Sequence, residues 1–330
     1  MPASAATPDK VRRLLDHYRA HHRTLPWRSP PGAPRMDPYR VWLSEVMLQQ
    51  TTVATVTPRF TRFLDRWPSV EALAAAPVEE VLGEWAGLGY YARARNLIAC
   101  ARAVAARGGF PETEAELRQL PGLGDYTAAA VAAIAFGQNS TPIDTNVERV
   151  VARLEGLTDR NAIRAAARAL TPKGEAGDFA QALMDLGATI CRPRKPACLT
   201  CPLSADCVAF ASGDPEAFPP KVAKKARPHR HGIALWHEED GALFLVRRPG
   251  RGMLGGMAAL PGDDWSGDSP PDDRLASVTH VFSHFSLDLH VLTAPGAPNG
   301  EGWWHPIDRI DEAGLPTLYR KAVEAVLARR

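Results

Sequence analysis

Four cysteines stand close together in this chain, Cys191, Cys198, Cys201 and Cys207, with the spacing C-x6-C-x2-C-x5-C. Thiolates brought together by one short loop can enclose a metal centre in a tetrahedron of sulfur. Structural zinc sites usually show two close cysteine pairs, and here only Cys198 and Cys201 form one. An iron–sulfur cluster is larger than a single ion and accepts more uneven spacing. Spacing alone leaves both centres open. Arg192, Arg194 and Lys195 lie between the cysteines; they suit a pinned loop whose cations meet phosphates, or simply keep the loop soluble. Cys100, within the alanine-rich Ile98 to Ala106, reads as a small buried apolar residue.

Two carboxylates could do acid–base work. Glu45 lies in Val41 to Thr51, among Val41, Trp42, Leu43, Val46, Met47 and Leu48. Burial there would raise its pKa and make it an acid near neutral pH; the plainer reading is a glutamate at the edge of a buried helix. Asp144 precedes Thr145-Asn-Val-Glu-Arg-Val-Val151 and reads as a helix N-cap, which explains it without any chemistry. A third feature is LPGLGDYTA, Leu120 to Ala128. Gly122 and Gly124 permit backbone angles closed to other residues, so a tight hairpin can present its N–H groups. The helix starting near Asp125 adds the positive end of its dipole. Such a hairpin binds a phosphate without reading sequence. An ordinary helix–turn–helix corner would look the same.

The elements that must carry these residues are helical up to about Phe210. Val11, Leu14, Leu15 and Tyr18 recur at helical spacing, as do Leu97, Ala101, Val104 and Ala105. Leu117 to Ala135 reads as two helices about a Pro-Gly turn, and Thr113 with Glu116 fits a capping box before it. Gly213-Asp214-Pro215, Phe218-Pro-Pro-Lys221 and the basic run Lys221 to Arg230 have linker composition. Beyond them, Gly232 to Trp236 and Ala242 to Val246 are apolar runs joined by His237-Glu-Glu-Asp-Gly241, a hairpin signal. Val278 to Phe285 and Leu287 to Leu292 read as two more strands, and Leu318 to Leu327 as a closing helix. The expectation is a mainly α domain over residues 1–210, a basic linker over 211–230, and a smaller α/β domain over 231–330.

Length agrees with two domains: 330 residues suffice for two separate cores. With 45% apolar and 23% charged residues the composition is globular, not disordered. The net charge of +2 hides an asymmetry. Residues 229–330 carry 10 Lys and Arg against 14 Asp and Glu, leaving 29 against 23 for residues 1–228. A front end at +6 and a back end at −4 suggest that the front faces a polyanion, although a helical surface is often mildly basic without one. No apolar stretch approaches the roughly 20 residues of a membrane span, so no membrane partner is expected. The first nine residues lack the basic-then-apolar pattern of a secretory signal. The expected location is the cytoplasm, and the nucleoid in a bacterium, where cysteines stay reduced.

Taken together, the cysteine spacing, LPGLGDYTA and an aspartate some twenty residues downstream resemble the helix–hairpin–helix DNA glycosylase superfamily with its [4Fe–4S] cluster. Within it, LPWR (Leu25 to Arg28), SEVMLQQT (Ser44 to Thr51) and GLGYYARARNL (Gly87 to Leu97) resemble the MutY-type adenine DNA glycosylases. The match covers most of Asp9 to Cys207, with several separate motifs in order. Past the linker, HVFSHF (His280 to Phe285) resembles the family's C-terminal, Nudix-like domain.

The resemblance implies a monofunctional enzyme of base excision repair. It would remove adenine paired with 8-oxoguanine or guanine in duplex DNA, leave an abasic site, work as a monomer and carry the cluster on the four cysteines. By motif position Glu45 would protonate the adenine and later help activate water, and Asp144 would steady the oxocarbenium-like sugar. Tyr126 and Asn146 would complete the catalytic set. Glycosylases that also cut the backbone carry a lysine at the position of Tyr126, and a phenol cannot form the Schiff base. Gln50, Leu88 and Tyr90 would wedge the duplex while the adenine is flipped out. The hairpin glycines Gly122 and Gly124, with Arg192, Arg194 and Lys195, would hold the backbone. Trp27, Arg28 and Gln181 would line the adenine pocket, and Phe282, Ser283 and His284 would recognise 8-oxoguanine. The chain departs from the family pattern at Leu254 to Gly262, where alanines replace larger residues, and it has no glutamate-rich Nudix helix to hold magnesium. Pyrophosphatase activity is therefore not expected. Three rival readings remain: an endonuclease III-like glycosylase and lyase, a non-catalytic iron–sulfur DNA-binding protein, and a zinc-dependent DNA-binding module.

Overall fold

The computed structural model describes residues 7–220, 226–249, 252–267, 273–282, 284–294, 298 and 300–329. Helices occupy the chain as far as Ala211: α1 (Thr7–His21), α2 (Pro38–Leu48), α3 (Val53–Arg66), α4 (Val70–Ala75), α5 (Val78–Glu84), α6 (Ala92–Arg107) and α7 (Glu114–Leu117). There follow α8 (Asp125–Phe136), α9 (Thr145–Glu155), α10 (Arg160–Leu170), α11 (Ala176–Thr189) and α12 (Val208–Ala211). The later chain forms β1 (His229–Trp236), β2 (Glu238–Glu239), β3 (Ala242–Arg247), β4 (Ala258–Ala259), β5 (Ala276–Val281), β6 (Ser286–Thr293), β7 (Trp303–Pro306) and α13 (Thr317–Leu327). Packing divides the molecule into two units, residues 1–78 with 95–222 and residues 79–94 with 223–330.

In the first unit, α1 buries Leu14, Leu15 and Tyr18, the stripe its periodicity demands. They join Val147, Val150 and Val151 of α9 and Phe179, Leu183 and Leu186 of α11 in one core. The alanine-rich α8 is different, being buried along Thr127 to Ala133 with no polar face. Small side chains let neighbours approach it closely. A Cβ on Gly177 of α11 would come 2.7 Å from the Ala133 carbonyl oxygen. Against another side of α8 packs α2, itself buried from Val41 to Met47. Thr113 caps α7, its Oγ accepting from the Glu116 amide at 3.3 Å and donating to the Glu116 carboxylate at 2.6 Å. Cys100 is fully buried.

The second unit contains a three-stranded sheet in the order β1-β6-β5 and a second sheet of β2, β3, β4 and β7. β6 runs parallel to β1, with His231 opposite Asp288, and antiparallel to β5, with Thr279 opposite Asp288. α13 packs on β5 and β6 and closes a core that includes Trp236, Leu245, Trp265, Leu287, Leu289 and Tyr319.

Three sequence expectations need correction here. Gly232 to Trp236 does not form a hairpin with Ala242 to Val246; the two-residue β2 pairs with the start of β3, and β1 pairs with β6 instead. β1 begins at His229, so the last two residues assigned to the linker belong to a sheet, while residues 221–225 lie outside the described ones. The strand expected over Val278 to Phe285 stops at Val281, because the amide of Phe282 turns back to the carbonyl oxygen of Phe285 at 2.9 Å. Among the described residues no helix is long and apolar enough to cross a membrane.

Candidate active site

Seven of the residues singled out in the sequence line one cavity of about 730 Å³: Trp27, Arg28, Glu45, Gln50, Tyr126, Asp144 and Asn146. Glu45 projects from α2, whose flanking residues are all buried, and is itself 7% exposed. Burial pushes its carboxyl up to about 7. A hydrogen bond from Tyr126 and the charge of Arg28 oppose that rise, and the charge of Asp144 adds to it. Burial and the neighbouring Glu45 raise Tyr126 well above its ordinary value, so it stays a phenol.

Arg28 is held from behind. Its Nη1 donates to Asp185 Oδ1 at 2.7 Å, while Arg23 donates to the same carboxylate from Nε at 2.6 Å and from its amide at 3.0 Å. Sequence reasoning missed Asp185, although the signal that singled out Glu45 was present: a carboxylate among Leu183, Met184 and Leu186 on an apolar helix.

Asp144 does cap α9, its Oδ1 accepting from the Val147 amide at 2.7 Å. Its other oxygen accepts from Asn146 Nδ2 at 2.8 Å. Arg149 donates to the Asn146 Oδ1 at 2.9 Å, to the Gly187 carbonyl oxygen at 2.8 Å and to that of Cys191 at 2.8 Å. Because the Asn146 oxygen faces a guanidinium, its NH2 must face Asp144. One residue therefore serves as both cap and cavity wall, and its rotamer is locked from two directions.

Other residues lie elsewhere. Gln181 does not reach this cavity; it donates to the Gly177 carbonyl oxygen at 3.4 Å and lines a separate cavity of about 300 Å³ with Arg35 and Asp178. Gln50 in the first unit and Tyr90 in the second are non-glycine residues at left-handed φ, 56° and 50°, a costly conformation that local structure must impose. Tyr90 is exposed and Leu88 is buried. Gly122 has φ 76°, and a Cβ there would meet the Asn96 Cβ at 2.6 Å. Gly124 does not share that need: its φ is −82° and a Cβ would meet nothing within 4 Å. It is the N-cap of α8 and supplies no side-chain acceptor to the first turn.

The cysteine loop follows α11, with 3-10 turns at Cys198–Thr200 and Ser204–Asp206. Cys191, Cys201 and Cys207 pack against the core of the first unit. Burial raises the thiols of Cys198, Cys201 and Cys207, and their mutual proximity adds to it. Among the described residues, no three of the four sulfurs lie within 4.8 Å of one another. A tetrahedral zinc ion would draw them to about 3.8 Å, whereas a cluster larger than one ion spaces its ligands more widely. The buried Arg153 donates to the carbonyl oxygens of Arg192 at 2.7 Å and Pro193 at 3.1 Å and to the Cys191 sulfur at 3.5 Å. The arginines and lysine between the cysteines are exposed. In the second unit, Phe282 stacks on Trp265 with ring centroids 5.7 Å apart, His284 is exposed, and Ser283 lies outside the described residues.

A model of the HhH-GPD superfamily base excision DNA repair proteins matches residues 43–173, and a NUDIX domain model matches residues 232–325. The chain is 37% identical to an adenine DNA glycosylase of Buchnera aphidicola subsp. Baizongia pistaciae, covering 95% of each. It is 34% identical to the human adenine DNA glycosylase and 38% identical to that of Arabidopsis thaliana, over 84% of this chain in both cases. It spans 65% of the human relative's length and about half, 51%, of the plant one's. Among solved structures, a thermostable thymine-DNA glycosylase superposes with TM-score 0.56 at 31% identity, covering 63% of this chain and 99% of the other. An endonuclease III trapped on DNA superposes with TM-score 0.54 at 24% identity over 64% of this chain and 99% of that one, a likeness of fold.

Proposed function

Because the chain belongs to the adenine DNA glycosylase family, we propose that it hydrolyses the N-glycosidic bond of adenine mispaired with 8-oxoguanine or guanine in duplex DNA. The observation that carries this reading is one cavity holding a buried, readily protonated Glu45 and a doubly hydrogen-bonded Asp144. Cleavage of a glycosidic bond needs an acid for the leaving group and an anion beside the developing cation. Glu45 is the acid: it gives its proton to a ring nitrogen of the flipped adenine, and its carboxylate then takes one from the attacking water. Asp144 sets its carboxylate beside the sugar, held in place by the Val147 amide and Asn146. Arg28 and Trp27 wall the pocket, and Tyr126 holds Glu45 by its hydroxyl. The cavity lining carries no lysine among the described residues, which favours base removal without strand cleavage.

Duplex binding rests on sequence-independent contacts. The α8 N-terminus behind Gly124 has room for a phosphate, and Gln50, on the rim of the cavity, fills the gap left by the flipped base. Cys191, Cys198, Cys201 and Cys207 hold a [4Fe–4S] cluster. When bound, that cluster pins the loop that presents Arg192, Arg194 and Lys195 to the backbone. The loop Phe282 to His284 reads the oxidised guanine on the opposite strand.

Single-turnover assays on duplexes with adenine opposite 8-oxoguanine, guanine and thymine, and on a duplex carrying an oxidised pyrimidine, each with and without borohydride, test this reading. The expected result is alkali-labile abasic sites in the first two duplexes and no trapped covalent complex. Excision of oxidised pyrimidines with borohydride trapping would replace it with the glycosylase and lyase reading.

A further inference from the structure

We propose that the three-stranded sheet of the second unit carries a divalent transition-metal site, formed by His229 and His231 of β1 with Asp288 of β6, that takes a zinc-class ion. These residues are distinct from the cysteine loop and from the cavity of Glu45. Side chains two apart on a strand share a face, so the H-x-H pattern of β1 puts both imidazoles on one side of the sheet. The parallel register then sets Asp288 directly opposite His231. One ligand atom from each of the three residues falls within 4.8 Å of the others. His229 Nε2 and Asp288 Oδ2 are 3.1 Å apart. Two ligands at the usual 2.0–2.1 Å from a tetrahedral ion stand about 3.3 Å apart, so the pair needs only a small adjustment.

The supporting contacts match those that orient the ligands of a metal site. A metal-bound histidine normally commits its other ring nitrogen to a second group, and a ligating carboxylate is hydrogen-bonded in turn. His229 Nδ1 lies 2.8 Å from Ser286 Oγ, which leaves Nε2 on the Asp288 side. His231 Nδ1 lies 3.0 Å from His290 Nε2, and the other nitrogen of that buried ring is held by Ser277 Oγ at 3.0 Å. Thr279 donates to Asp288 Oδ1 at 2.6 Å, which leaves Oδ2 for the ion. All three candidate ligands are therefore oriented by neighbours, drawn from β5 and β6. Two imidazoles and a carboxylate are a donor set for zinc and its first-row neighbours, not for calcium or magnesium. With His290 committed to His231, the fourth position is left to water or to a donor from outside.

The test uses the full chain, stripped of loosely held metal and titrated with zinc chloride, with bound zinc measured after equilibrium dialysis. Asp288→Asn keeps the shape and His231→Ala removes a ligand; His305→Ala, a histidine on β7, serves as the control. Wild type and His305→Ala are expected to bind one equivalent of zinc more than either site variant, at micromolar concentration or below. Calcium at the same concentration should leave that equivalent in place. The same stoichiometry in all four proteins, each with native circular dichroism, would overturn the proposal. So would loss of the equivalent in His305→Ala.

Discussion

Glu45 and Asp144 illustrate what residue types can and cannot announce. An acid set among apolar residues on a helix announces its own burial, because water cannot reach it from any side. Asp144 announces only a cap, and Asp37 and Asp159 cap their helices by the same kind of bond. Only the fold distinguishes it, by bringing the start of α9 to the wall that Glu45 shares. Gln181 shows the same limit from the other side: one turn of α11 separates it from Met184, yet Gln181 lines one cavity and Met184 the other. The raised carboxyl of Glu45 gives a pH prediction. The proposed mechanism uses its protonated form, so the single-turnover rate should fall as pH rises through about 7, where Glu45 ionises. Glu45→Gln should excise at least about 100-fold more slowly while binding the mispaired duplex normally. The linkage runs the same way for folding. A carboxyl raised in the folded state favours that state at low pH, and the advantage is lost as pH rises from about 4.5 through about 7. Glu45→Gln should therefore melt no lower than wild type at pH 8. A flat rate profile from pH 6 to 9 would remove Glu45 from the role of acid.

At the scale of elements, the helices were readable because their stripes and caps are local, and the sheets less so because pairing is not. A run such as His237-Glu-Glu-Asp-Gly241 specifies that the chain turns, and it does, but β2 takes the place beside β3. The partner of β1 arrives some fifty residues later as β6, where no local rule could announce it. The two hairpin glycines separate in the same way. Gly122→Ala meets both a left-handed φ and the Asn96 side chain, so it should lower stability by roughly 1–3 kcal/mol, read by thermal melting. Gly124→Ala should melt closer to wild type than Gly122→Ala, losing only the small N-cap preference of glycine over alanine, but bind duplex more weakly, since its Cβ enters the space before the α8 N-terminus. Equal melting losses in both would dismiss that distinction. The cysteine loop is tied to the site through α9, by Arg153 to the loop backbone and by Arg149 from the Cys191 carbonyl oxygen to Asn146 and so to Asp144. Neither arginine stood out in the sequence, because a basic residue on a helix is usually solvated. Cys198→Ser should lose most of its iron and weaken duplex binding, and through Arg149 slow excision on DNA that remains bound. Full iron with unchanged affinity would refute it.

For the whole molecule, the charge asymmetry between residues 1–228 and 229–330 and the two packed units describe a division of labour. The chemistry proposed above lies wholly in the first unit, since Glu45, Asp144 and the groups that hold them belong to it. The resemblance that assigned 8-oxoguanine to Phe282, Ser283 and His284 put recognition in the second, and these three residues do not play one part. Phe282 stacks on Trp265 and lies 4.8 Å from Phe285, ring centre to ring centre, so it roots the turn in the core of its unit. His284 is exposed just past that root. A hydroxyl that both donates and accepts at Ser283 suits the N7–H and O8 by which 8-oxoguanine differs from guanine. The roles predict different failures. Phe282→Ala removes an aromatic from the core, should lower the melting temperature of the protein, and should weaken binding to both mispairs alike. Ser283 and His284 replaced together by alanine should melt normally. That double variant should lose affinity and single-turnover rate on the duplex with adenine opposite 8-oxoguanine by about 1–3 kcal/mol, the worth of one or two good hydrogen bonds. On the duplex with adenine opposite guanine it should match wild type, because guanine lacks the groups those side chains address. Equal losses on both duplexes would make the turn a general DNA contact and move the reading of the oxidised base elsewhere in the protein.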